Sequence, residues 1–229
     1  MRQILSLPLE EALGNREYCQ AIATITGGSY VNPDVLLEQE FVKNNHIYLS
    51  VSETGQVEAF FMVGWSTVQL EGAIFDCVFL GLSATSPEFK AKGLVSPLYT
   101  RYFSDAQSRA DITGRPVSWW FHTASPIVAG MMWHMMSDIG PSPDGTMSDI
   151  KMQLLEAIQA KFGLVKYRDP SAPYVLRRIA KARYDADETS RIAARSRRHP
   201  SLLTKLHIQE EDGDRMLFVG QFHPQDLGN

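Results

Sequence analysis

Residues 79–107 read FLGLSATSPEFKAKGLVSPLYTRYFSDAQ, and the change of period within them sets the fold expected of the whole chain. Phe79, Leu80 and Leu82 form an apolar run with a glycine inside it, the composition of a buried strand. Ser86-Pro87 ends that run, because proline has no N–H to donate to a ladder. From Gly93 onward Leu94, Leu98, Tyr99, Tyr102 and Phe103 recur at helical spacing.

The glycine at the mouth of this helix lets the backbone turn tightly and leaves its face open. The first N–H groups of a helix have no internal partner and sit at the positive end of its dipole, so such a mouth binds phosphate. Lys90 and Lys92 place two cations beside it. On the residues alone two readings stand: a pyrophosphate cradle, or an ordinary strand–turn–helix with a solvated basic turn.

The stretch resembles motif A of the GNAT (N-acetyltransferase) superfamily, in which a strand runs into P-E-[YF]-[RQ]-x-x-G-x-[GA] and a helix. Pro87, Glu88, Phe89, Gly93 and Leu94 follow the pattern; Lys90 replaces the usual Gln or Arg, and Val95 the final Gly or Ala. The resemblance implies a GNAT acyl-CoA N-acyltransferase fold of α+β class, a mixed and mostly antiparallel sheet flanked by helices. It implies acyl-CoA as co-substrate, held by backbone N–H groups from Ala91 to Ser96 (Ala91, Lys92, Gly93, Leu94, Val95, Ser96) with Lys90 alongside. Main-chain groups near Ser83 and Thr85 would pair with the pantetheine arm, and the helix start at Ser125 would border it. Val95 puts a branched side chain where phosphate approaches, which would weaken or shift the cofactor, or suit the phosphopantetheine arm of an acyl carrier protein.

The chain has 229 residues, enough for one domain with a full core, and a net charge of −4, which gives no basic field for nucleic acid. No apolar stretch approaches the roughly 20 residues of a membrane span. The start, MRQILSLPLEE, turns acidic too early for a signal peptide, and Cys19 and Cys77 fit a reduced, cytoplasmic setting.

Around the motif the order is a short strand at 3–8, a helix from Leu13 to Ile25, and a second from Val35 to Val42. A hairpin of Ile47–Val51 and Val57–Leu70 follows, then a strand over Ala73–Thr85, the motif helix, a strand over Val117–His122, and a methionine-rich helix over Ile127–Ser137. This is the order of a GNAT core, spanning about 1–140 of a single domain. Strands 73–85 and 117–122 should lie parallel and diverge, with the acyl-pantetheine arm in the gap. Helices between about 149 and 205 form an insertion before a last strand at 215–222. One or two of them should span Val175 to Ala194. Arg177, Arg178, Lys181, Arg183, Arg191, Arg195, Arg197 and Arg198 make 177–198 either a solvated helical face or a docking patch for an acyl carrier protein, a peptide or the 3′-phosphate of CoA.

Acyl transfer to an amine needs a neutral amine, a donor for the oxyanion and a proton for the leaving thiolate. In the superfamily's late helix a tyrosine protonates the sulfur. Here it is absent, and Trp133 and His134 occupy its place, so His134 is a candidate acid and Trp133 core or tunnel wall. His122, at the end of the late strand, is a candidate to orient the amine or relay its proton. Asp76, with Glu58 as a similar alternative on the preceding strand, is a candidate base. Glu88 fits loop stabilisation better than proton chemistry. Met131, Met132, Met135 and Met136, with Phe60, Phe61, Met62 and Trp65, are material either for core or for a tunnel that would make medium and long acyl thioesters bind better than acetyl-CoA. The histidines lack metal-ligand spacing.

The leading reading is an N-acyltransferase whose acceptor is a small molecule or a peptide amine. The alternatives are a catalytically silent GNAT-like module that binds CoA or a partner, and an interaction protein whose surface is the basic segment.

Overall fold

The computed structural model describes residues 2–70, 72–90, 92–196 and 202–222, the side chains of 195 and 196 excepted. Eight strands form one sheet in the order β1-β2-β3-β4-β5-β8-β6, with β7 also paired to β8. They are β1 (Gln3–Pro8), β2 (His46–Val51), β3 (Val57–Leu70), β4 (Ala73–Thr85), β5 (Val117–Thr123), β6 (Ile139–Gly140), β7 (Val175–Leu176) and β8 (Arg215–Gln221). Only β4 and β5 run parallel among the paired strands described, joined by the crossover helix α4 (Val95–Thr113). The α+β class, with a mostly antiparallel sheet between helices, is therefore observed.

Strand alternation sorts the core. Phe60 and Met62 turn to one face, against α1 (Leu9–Gly14), α2 (Arg16–Gly27) and α3 (Pro33–Lys43); Phe61 and Val63 turn to the other, against α4 and α5 (Pro126–Met135). The stripe read from the sequence is the one α4 buries: Leu98, Tyr99, Tyr102 and Phe103 are all nearly inaccessible. Each such burial contributes about 1.5–3 kcal/mol. Gly114, left-handed at φ 64°, ends the helix as a C-cap.

The expected helix from Leu13 is two helices. Asn15 adopts an extended backbone and its side chain caps the second helix, accepting from the Glu17 and Tyr18 N–H groups. The segment between β6 and β8, expected as a helical insertion, is less helical than expected. It holds α6 (Asp149–Lys161), β7, α7 (Ala186–Ser196) and α8 (Leu202–Lys205), and residues 177–185 are largely irregular. Val175 and Leu176 join the sheet because β8 still has a free edge there, and pairing outweighs helix propensity. Nor is the insertion a separate lump. Leu154, Leu155 and Ile158 of α6 bury Phe79, Trp120 and Leu217. The Val31 N–H donates to the Arg183 carbonyl (3.0 Å) and the Asp185 N–H to that of Ser29 (3.0 Å), lacing the segment to the α2–α3 connection.

Among the described residues no helix is long and apolar enough to cross a membrane.

Candidate active site

The β4–β5 ladder is short. Asp76, Cys77, Val78 and Phe79 pair with Val117, Ser118, Trp119 and Trp120, and past them the strands part. The cause lies on the other edge of β4. Against β3, Leu80 pairs with Val63 and Ser83 with Phe61, so two residues, Gly81 and Leu82, oppose Met62 alone. Such a bulge bends its strand. Gly81 is required there, because a Cβ would lie 2.4 Å from the Asn44 amide oxygen. The buried Glu40 of α3 then accepts from the Leu82 N–H (3.1 Å) and from the Asn44 amide (3.1 Å), which fixes the bulge to the helix.

Two adjoining cavities fill the opening and share Tyr30, Ser83, Val128 and Tyr184. The outer one, about 290 Å³, reaches Thr85, Gly93, Leu94, Val95 and Ser125. The inner one, about 140 Å³, reaches Glu40, Lys43, Leu80, His122, Met132 and Arg215.

At the outer mouth Gly93 has φ 75°, with nothing within 4 Å of where a Cβ would stand. Leu94, before α4, carries no side-chain cap. The expected run of amides narrows. The N–H groups of Lys90, Lys92 and Ser96 donate to the carbonyls of Pro87 (3.4 Å), Phe89 (3.2 Å) and Gly93 (3.3 Å). Ala91 lies outside the described residues. Among the described residues no protein acceptor reaches the N–H groups of Gly93, Leu94 and Val95, which stand at the positive end of a 19-residue helix. Val95 edges the cavity and packs against the core below α4.

Both lysine head groups have partners. Lys90 Nζ donates to the Gly28 carbonyl (2.8 Å) and to Glu188 (3.1 Å), and Lys92 lies over the Phe89 ring (4.9 Å) away from both cavities. Ser125 caps α5 by accepting from the Val128 N–H (3.4 Å). Ser83 and Thr85 hold β3 with one edge and line the opening. The Ser83 hydroxyl meets Tyr99, whose own pKa burial pushes up to about 12.

Of the three candidate proton carriers, one faces the cavities. His122 lines the inner cavity, where burial, Lys43 and Arg215 push its pKa well below the ordinary range and keep the ring neutral. His134 is exposed on α5 and lines neither cavity, because α5 turns Val128, Met131 and Met132 toward the opening instead. Asp76 sits at the closed end, fully buried, bound to Arg109 (3.0 Å), Thr113 (3.3 Å) and Arg115 (3.5 Å). Its electrons are committed to a clamp between β4 and the end of α4. Glu58 is likewise buried and paired with Arg2, and Glu88 accepts from the Ser86 hydroxyl (2.9 Å).

Of the apolar set, Met131 and Met132 line the opening; Phe60, Phe61, Met62, Trp65, Met135 and Met136 do not. Trp133 donates to the Pro141 carbonyl (2.8 Å) and packs on Phe218. The basic segment forms no continuous helical face. Arg177 bonds Asp169 (2.9 Å) and Asp214 (2.6 Å), Arg191 bonds Glu188, and Arg197 and Arg198, with the Arg195 side chain, lie outside the described residues. Arg178, Lys181 and Arg183 are exposed.

Glu40, Lys43, Tyr30, Tyr184 and Arg215 went unread in the sequence. One signal existed: Glu40 follows the buried Leu37 by three positions, on the apolar side of its helix. Tyr184 gave none. Its ring meets Tyr30 at 5.0 Å only because the insertion folds back, and burial raises the pKa of both phenols, so they remain protonated.

No family model and no curated protein matches the chain. Solved structures do. A conserved protein of unknown function from Enterococcus faecalis, described as a probable N-acyltransferase, is 13% identical over 57% of this chain and 31% of its own, with a TM-score of 0.42. The match thus spans about a third of that protein. A GNAT family acetyltransferase from Brucella melitensis, in complex with acetyl-CoA, is 15% identical over 52% of this chain and 75% of its own (TM-score 0.36). The GNAT family N-acetyltransferase YhbS from Escherichia coli, in complex with CoA, is 14% identical over 57% and 66% (TM-score 0.39). Antiparallel strands leading to a parallel β4–β5 pair that opens above a glycine-mouthed helix, with antiparallel strands beyond it, make the topology expected from the GNAT motif.

Proposed function

We propose that the protein is an N-acyltransferase that moves a short acyl group from acyl-CoA to an amine. The observation that carries this reading is the opening of β4 from β5, which joins the glycine-mouthed start of α4 to a neutral histidine through two adjoining cavities. The Gly93–Val95 N–H groups suit a pyrophosphate. The free edge of β4 near Ser83 and Thr85 suits an extended amide-containing arm, added like a strand.

The chemistry then falls in the inner cavity. The amine nitrogen attacks the thioester carbonyl carbon, the carbon–sulfur bond breaks, and the amine proton passes to the neutral His122 imidazole. The thiolate takes a proton from solvent or from a lining phenol. Most of the rate gain comes from holding amine and carbonyl in line. The inner cavity is close in size to an engineered cavity of ~150 Å³ that holds benzene. That size suits a short acyl group beside an acceptor better than the medium or long chain expected from the methionine-rich helix.

Calorimetric titration with CoA, acetyl-CoA and decanoyl-CoA tests the reading. Acetyl-CoA should bind, and the decanoyl thioester should bind no better. Absence of binding by all three would end it.

A further inference from the structure

We propose that the inner cavity is the acceptor site and that it takes a small amine carrying a carboxylate, rather than a polypeptide or nucleic-acid chain. The proposal rests on the acyltransferase reading above.

Enclosure is the first argument. On the side away from α4 and α5 the cavity is walled by α3 and by the strap of residues 179–184. The strap is tied at both ends. The Ala180 N–H donates to the Gly213 carbonyl (3.0 Å), and on either side of Tyr184 the chain is laced to Val31 and Ser29 through Arg183 and Asp185. The Tyr30 and Tyr184 rings close the join. A polymer acceptor needs an open groove, and this cavity of about 140 Å³ is narrowed on that side by α3 and the strap.

Charge is the second argument. Three charged side chains line the chamber: Glu40, Lys43 and Arg215. The Glu40 carboxylate is consumed by the Leu82 N–H, the Asn44 amide and Lys43 Nζ (3.2 Å). Lys43 uses one of its three donors on Glu40 and reaches over the Phe79 ring (5.6 Å). Arg215 is buried, its terminal nitrogens meeting the carbonyls of Asp214 (2.7 Å) and Ala182 (3.3 Å) and one oxygen of Glu210 (3.4 Å). The Glu40 carboxylate is held by three donors, whereas Lys43 and Arg215, each paired with one carboxylate, keep further N–H donors for a substrate carboxylate. The same cations favour the neutral, attacking form of the amine. An amine that brings its own carboxylate satisfies both conditions.

The test measures thiol release from acetyl-CoA with paired acceptors: glycine against methylamine, β-alanine against ethylamine, 4-aminobutanoate against propylamine. Each pair is compared at equal concentrations of neutral amine. A lysine-containing peptide and bulk tRNA complete the panel. At least one carboxylated member should exceed its partner about tenfold in kcat/KM, and peptide and tRNA should turn over more slowly. Lys43→Gln should shrink that ratio at least threefold, acting on KM for the acceptor, while the acetyl-CoA affinity stays near the parent's. Equal rates within every pair, or faster turnover of peptide or tRNA, would overturn the proposal. Acetyl-CoA that binds without any carboxylated amine being acylated would overturn the acceptor assignment and leave the cofactor reading standing. Absence of acetyl-CoA binding would remove both.

Discussion

The two ends of the β4–β5 pair are built from the same two strands and do opposite things. At the closed end the ladder is intact and Asp76, fully buried, is saturated by Arg109, Thr113 and Arg115. At the open end the ladder is gone and His122 stands neutral before a cavity, with cations nearby. A buried charge whose partners use up its lone pairs holds the fold together and has nothing left for a substrate. Chemistry needs a polar group with unspent capacity beside unoccupied space, and the bulge at Gly81–Leu82 creates that space.

Four measurements sharpen or break this contrast. The largest effect is expected at the open end. His122→Gln should lower kcat/KM for acetyl transfer about 100-fold, the low end for loss of a general base, with acetyl-CoA affinity kept. A loss under threefold would remove His122 from the chemistry. Asp76→Ala should do the reverse, costing about 2 kcal/mol in urea denaturation through lost charge-assisted hydrogen bonds and leaving the CoA affinity unchanged. An Asp76→Ala protein as stable as the parent but dead in transfer would invert the comparison. Gly93→Val puts a branched side chain at φ 75° at the mouth of α4. CoA affinity by calorimetry should fall about tenfold, roughly 1.4 kcal/mol. The smallest effect concerns pH. His122 and His46 both have pKa values lowered by burial, so below about 6.5 the unfolded chain binds protons there that the folded chain refuses. Stability must therefore rise with pH up to that point and fall on acidification. His122→Gln should flatten part of the slope between pH 5 and 6.5 in denaturation series, and His46 should account for a remaining part.

Much of the frame was legible because it depends on neighbours in sequence. The switch from a strand-like run at Phe79–Leu82 to helical spacing after Gly93 gave β4, the turn and α4, and with them the parallel crossover to β5. The same reading erred where a residue's environment is supplied from afar. Asp76 looked like a base and became a clamp because the end of α4 returns to it. His134 looked like an acid and faces outward because α5 presents Val128, Met131 and Met132 to the opening. Residues 177–185 looked helical and became a strap because β8 and the α2–α3 connection offered them partners.

The amino-acid order alone thus determined where the chain bends and which stripes it must bury, since those follow from steric freedom at Gly93 and from the spacing of apolar side chains. Which amides remain unpaired, which lysine is spent and which carboxylate is free were decided only in three dimensions. Glu40 meets the Leu82 amide across 42 positions, and Lys90 meets Glu188 across 98. A hydrogen bond between such residues exists only once the fold has closed the loop between them, and whether a polar group is left over for a substrate depends on every such closure at once.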